Sequence, residues 1–90
     1  MRVARRYVIT GRVQGVGFRF FTETAAGREG VHGWVRNRAD GGVEAAAEGE
    51  AEAIERFERS IRQGPRGARV DRVEVEDIVP DGHAVGFTIE

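Results

Sequence analysis

The sequence contains no cysteine and no lysine. Without a thiol there is no disulfide, no thiolate nucleophile and no sulfur ligand for a metal. Without lysine a P-loop fails, since that loop needs an amine after its glycines to reach a nucleotide's phosphates. Schiff-base chemistry fails with it. All 14 basic residues are arginine. Serine occurs once, as Ser60, inside a segment of helical period and away from any nucleophile elbow. The two histidines, His32 and His83, lie far apart with no paired metal-ligand spacing. No apolar run is long enough to span a bilayer. The N-terminal arginines are not followed by the apolar core of a signal peptide, and no lipidation motif stands out. The expected location is the cytoplasm, with no membrane partner.

What is present fits one domain over residues 1–90, since 90 residues suffice for a single core but not for two. The apolar fraction of 40% and charged fraction of 32% are those of a globular chain rather than a disordered one. A formal net charge of −1 argues against a broad nucleic-acid surface and leaves room for one small basic pocket.

Val3 to Val13 is rich in β-branched residues and free of proline, so it reads as a central strand. Phe18 to about Arg28 reads as a helix whose apolar stripe is Phe18, Phe21 and Ala25, with Gly30 as its C-cap. Val31 to Asn37 reads as a second strand with Val31, Gly33, Val35 and Asn37 on one face. Asp40-Gly41 signals a hairpin. Val43 to Glu48 returns as a third strand, with Val43, Ala45 and Ala47 facing one way and Glu44 and Glu48 the other. Glu50 to Gln63 carries the stripe Ile54, Phe57 and Ile61 and is stopped by Gly64-Pro65. Glu50, Glu52, Glu55 and Glu58 read as its solvated face. Ala68 to Val79 reads as a strand with a bulge, because Val70 is out of phase with Val73 and Val75. Val85, Phe87 and Ile89 alternate in a last strand. The order β-α-β-β-α-β plus one strand predicts an α+β, ferredoxin-like two-layer sandwich: an antiparallel sheet with both helices on one face.

The chemistry concentrates between Gly11 and Arg19, in Gly-Arg-Val-Gln-Gly-Val-Gly-Phe-Arg. Three glycines in seven residues let the backbone turn tightly. The loop then opens onto a helix N-terminus with free N–H groups and a positive dipole, which suits an anion such as phosphate. The same pattern also serves as a bare strand–helix connection, and it is weakly specific taken alone. It is not a dinucleotide fingerprint, since Phe20 stands where the third glycine would be. Arg19 in the first helical turn works against the dipole unless an anion lies between it and the loop, and a guanidinium can grip a phosphate through two parallel hydrogen bonds. Asn37, the only asparagine, either begins the turn before Asp40 or serves as a neutral amide that both donates to and accepts from a water. His32 and Trp34 fall on the face opposite Asn37, His32 exposed and Trp34 packed, and His83 sits in a solvated turn. The run Gly15 to Phe21 faintly echoes an RNA-recognition signature. That signature belongs on a third strand with aromatics toward RNA, whereas here it precedes a helix, so no nucleic-acid partner is expected.

The same nine residues resemble the first signature of the acylphosphatase family, and Gly33-Trp34-Val35-Arg36-Asn37 resembles its second, at matching separation. The resemblance runs over essentially the whole chain. It implies hydrolysis of the carboxyl–phosphate bond of acyl phosphates to carboxylate and inorganic phosphate, without metal, cofactor or phosphoenzyme. By match to the motifs, Arg19 and the amides of Gly15, Val16, Gly17, Phe18 and Arg19 would bind the phosphoryl group, and Asn37 would position the attacking water. The implied partners are a small acyl phosphate and inorganic phosphate as product and inhibitor, with the chain acting as a monomer. Glu29 and Gly42 depart from the pattern, the first at a helix end usually closed by an apolar residue and the second where many relatives carry a side chain. Two rivals stand beside this reading: a non-catalytic phosphate- or metabolite-binding module of the same fold, and a carbamoyl-phosphate-directed relative.

Overall fold

The computed structural model describes residues 1–90. The chain forms β1 (Arg2–Arg12), α1 (Phe18–Glu29), β2 (His32–Asn37), β3 (Val43–Glu50), α2 (Ala51–Gln63), β4 (Arg69–Ile78) and β5 (Phe87–Ile89). The strands make one sheet in the order β4-β1-β3-β2-β5. Period-two alternation sends Tyr7, Ile9, Val35, Val43, Ala45 and Ala47 to one face, where they meet Phe18, Ala25 and Ala26 of α1 and Ile54, Phe57 and Ile61 of α2 in a single buried cluster. This is the ferredoxin-like two-layer arrangement that the element order implies.

The sheet is mixed rather than wholly antiparallel, because β5 pairs with β2 in parallel through Gly33, Trp34 and Val35. The reason is directional. β1 and β2 both run antiparallel to β3, and β4 runs antiparallel to β1. A chain that reverses after β4 and crosses to the far edge therefore arrives beside β2 running the same way. The crossing segment is tied down on the sheet face away from the helices. Glu48 accepts from the N–H groups of Asp81 at 2.6 Å and Gly82 at 2.8 Å, and His32 Nδ1 accepts from Gly86 N–H at 2.7 Å.

The expected bulge lies between Thr10, opposite Arg72, and Gly11, opposite Val70, which leaves Asp71 as the extra residue on β4. That slip lets Val70 and Val73 both pack on the core. Elsewhere tertiary contacts revise the pattern. Thr22 is fully buried in α1 while Phe21 is only half-buried. The hydroxyl of Thr22 turns back to Phe18 O at 2.8 Å, which satisfies it without a solvent contact. Val85 falls outside β5 and is exposed. His32 is half-buried rather than exposed, because the crossing segment covers it. Glu58 is not a solvated residue: Arg5 Nη1 donates to it at 2.9 Å from β1. Glu29 is held at 2.7 Å by Arg56 of α2, so an ion pair joins the two helices at the position where the family resemblance implies an apolar residue.

Candidate active site

β1 and β2 point their C-terminal ends to the same edge of the sheet, because β3 lies between them and opposes both. The glycine loop after β1 and Asn37 at the end of β2 are thus brought together across two strand spacings, about 10 Å. Val13, Gly15, Gly17, Phe18, Arg19, Phe20 and Asn37 line one cavity of about 120 Å³. Of the predicted residues, Gly15, Gly17, Phe18, Arg19 and Asn37 meet there. Val16 does not line it; its side chain packs on the core, so any part it plays belongs to its backbone.

The loop is shaped by Gly15 and Gly17, whose φ values of 74° and 77° lie in the left-handed region that other residues avoid. Gly17 is the N-cap of α1 and brings no side chain to the free N–H groups. Phe21 N–H, bonded to Gly17 O at 3.0 Å, is the first amide here with a backbone acceptor. The N–H groups of Gly15, Val16, Gly17, Phe18 and Arg19 have none in the protein. Successive unpaired N–H groups in such a turn form a concave anion site, reinforced by the helix dipole.

Arg19 adds a full charge. Arg5, Arg6, Arg19 and Arg38 are the arginines that are not freely exposed. Three are ion-paired, Arg5 with Glu58, Arg6 with Glu44 and Arg38 with Asp40. Arg19 alone among them forms no hydrogen bond or ion pair within the protein. A half-buried guanidinium with five idle donors beside five idle amides is an arrangement that an oxyanion of two negative charges would complete.

Asn37 stands in the last register position of β2, opposite Val43. The hairpin beyond it is closed by Arg38 N–H to Gly42 O at 2.8 Å, Gly41 N–H to Arg38 O at 3.2 Å and Gly42 N–H to Asp40 Oδ1 at 3.0 Å. The Gly42 and Arg38 contacts hold Asp40 below the usual carboxylate range. Gly42 therefore costs the turn no order. A Cβ there would sit 2.9 Å from Ile9 O, so the glycine allows the hairpin to close over β1.

Two features escaped the sequence pattern. Gln14 donates from Nε2 to both Arg38 O, at 2.8 Å, and Gly42 O, at 2.9 Å. Phe20 is 66% exposed at the cavity wall, whereas the helical stripe gave it no role. No three His, Asp or Glu side chains converge as a metal-holding set. No helix is long and apolar enough to cross a membrane.

The acylphosphatase family model matches residues 5–89. The chain is 54% identical to an acylphosphatase of Koribacter versatilis over 86 residues, 96% of this chain and 78% of that one. It superposes on the crystal structure of acylphosphatase from Bacillus subtilis with a TM-score of 0.94 at 35% identity, covering 98% of each chain. It also matches full-length HypF, in a phosphate- and nucleotide-bound form, with a TM-score of 0.89 at 31% identity, all of this chain corresponding to 12% of that protein.

Proposed function

The chain belongs to the acylphosphatase family and hydrolyses acyl phosphates to a carboxylate and inorganic phosphate; on that premise we propose that Arg19 and the loop amides hold the phosphoryl group while Asn37 holds the attacking water. The observation that carries the reading is the shared cavity, in which an unpaired arginine and an asparagine from separate elements face the same 120 Å³.

An acyl phosphate leaves as a carboxylate, which needs no strong protonation. Catalysis then reduces to placing water in line with the breaking P–O bond and stabilising charge on the equatorial oxygens. Preorganised N–H donors and a guanidinium supply the second requirement without reorganising during reaction. The amide of Asn37 can accept a proton bond from water through its oxygen and donate one through its nitrogen. The water's oxygen bonds to phosphorus as the carboxylate departs, and its proton passes to a phosphate oxygen of the substrate. This route uses no general base from the protein and no metal. The same cradle would take inorganic phosphate as a competing product.

Neither a binding module nor a carbamoyl-phosphate-directed relative is favoured, since the curated relatives are acylphosphatases over nearly the whole chain. The test of the roles is hydrolysis of benzoyl phosphate in EDTA by the native protein and Asn37→Ala. Native turnover should survive the chelator, and the variant should lose about 10²-fold in kcat, as for one positioned donor, while inorganic phosphate still inhibits. Near-normal kcat would remove Asn37 from the mechanism, and loss of native turnover in EDTA would remove the metal-free route.

A further inference from the structure

The phosphate cradle and Asn37 belong to different elements, and no ladder joins them directly. Pairing of each with β3 sets the ends of β1 and β2 side by side, but the loop beyond β1 lies outside the ladder, and a direct tie between it and the end of β2 must come from a side chain. Gln14 is the side chain that spans the gap. It directly precedes Gly15, and its two amide protons go to Arg38 O, immediately after Asn37, and to Gly42 O, which closes the same hairpin.

These bonds are surplus to the hairpin's own needs. Gly42 O already accepts from Arg38 N–H, and Arg38 O from Gly41 N–H. Removing Gln14's donors would leave neither carbonyl without a partner, and the hairpin would keep its closing bonds. What would be lost is the tether between loop and hairpin.

We propose that Gln14 is a positioning residue that fixes the distance from the phosphate cradle to the water held by Asn37. The inference rests on the water-holding role of Asn37 given above. Gln14 does not line the cavity; it acts through the backbone on either side of the site. In-line attack tolerates little error, and a displacement of about 1 Å can cost up to about 10²-fold in rate. The cradle's own donors lie on one loop and one helix turn, so phosphate affinity should depend on the tether far less than turnover does.

The experiment is a double-mutant cycle on kcat for benzoyl phosphate, with Gln14→Met, Asn37→Ala and the pair, alongside inhibition by inorganic phosphate and thermal melting. Methionine matches glutamine in length and removes both donors; Gln14→Ala replaces it if the methionine variant does not fold. Gln14→Met should lower kcat by about 10-fold or more while the phosphate inhibition constant moves less than about 3-fold, the split expected when an interaction serves only the reacting geometry. In the Asn37→Ala background the same change should cost nothing further, because no held water is left to misplace. Equal, independent losses in the two backgrounds would overturn the tether, as would unchanged kcat in Gln14→Met. Parallel loss of phosphate affinity and kcat would make Gln14 a support of the loop alone, and failure of both Gln14 variants to fold would make it a support of the fold. If Asn37→Ala itself keeps normal kcat, the water-holding role fails and the tether fails with it, an outcome distinct from additivity.

Discussion

Arg36 and Glu44 face each other as register partners across β2 and β3, and Arg36 Nη2 donates to Glu44 Oε1 at 2.9 Å. Glu44 is only 4% exposed although it points away from the helices. Arg6 reaches its other oxygen from β1, and Arg38 approaches at 3.5 Å. Glu44 thereby holds the two arginines that flank Asn37 and fastens them to the central strands. Burial pushes its pKa up, but the hydrogen bonds and charges of Arg36 and Arg6 outweigh this and hold it below the ordinary carboxylate value. Glu48 is likewise lowered, by Arg2 first and then by the N–H groups of Gly82 and Asp81, against the opposing effect of burial.

A carboxylate with a lower pKa in the folded state adds stability above its unfolded value, near 4.3. It loses that contribution as pH falls through the folded value. Thermal stability should therefore hold from neutral pH down to about 5 and decline below about 4.3. Glu44→Gln should cost about 1–3 kcal/mol at pH 7, less than a fully buried pair because its arginine partners are partly solvated. Its stability should also fall less steeply in acid than the native protein's. Urea unfolding midpoints at pH 7 and pH 4 read both effects; parallel curves for the two proteins would show that Glu44 does not titrate in that window.

Arg19→Gln should weaken inorganic phosphate binding and lower turnover together, since the same guanidinium would contact ground state and transition state. The loss in affinity should be about 10-fold or more, as for one charge-assisted hydrogen bond of about 1.5–3 kcal/mol. Because Arg19 has no partner inside the protein, the melting temperature should not fall. Phosphate titration by calorimetry checks the first expectation, and unchanged affinity would take Arg19 out of the cradle.

Tyr7 carries an opposite lesson. Its side chain is fully buried against Phe57, with ring centroids 5.9 Å apart, and its hydroxyl has no hydrogen-bond partner. Burial is the main cause that pushes its pKa up. A buried, unsatisfied hydroxyl is costly, so Tyr7→Phe should leave stability unchanged or raise it by about 1 kcal/mol. A fall in melting temperature would mean that the hydroxyl is held by the neighbouring Arg5–Glu58 pair.

Much was legible because it is local. The spacing of Ile54, Phe57 and Ile61 gave α2 and its buried face, and Gly64 gave its end, since both signals lie within a few turns of chain. The out-of-phase Val70 marked the bulge for the same reason. Phe21 of the stripe is only half-buried and Thr22, outside it, is fully buried, because a helical stripe fixes an average direction while the packing partner decides which residue is covered. His32 and Glu58 were misplaced because the chains that cover or pair with them lie 54 and 53 residues away.

The same division applies to the site. The order of residues from Gly15 to Arg19 by itself determined a turn with left-handed glycines, a helix N-terminus and a cation in its first turn, because backbone freedom, capping and charge are written in neighbouring residues. Asn37 could be named from its motif, but as residues alone it served equally well to begin a turn. Only the tertiary structure decided that Arg19 is the half-buried arginine with no carboxylate, that Asn37 faces its cavity, and that Gln14 joins the two elements. Those facts depend on β3 lying between β1 and β2 with their ends aligned, a relation set by the shared core.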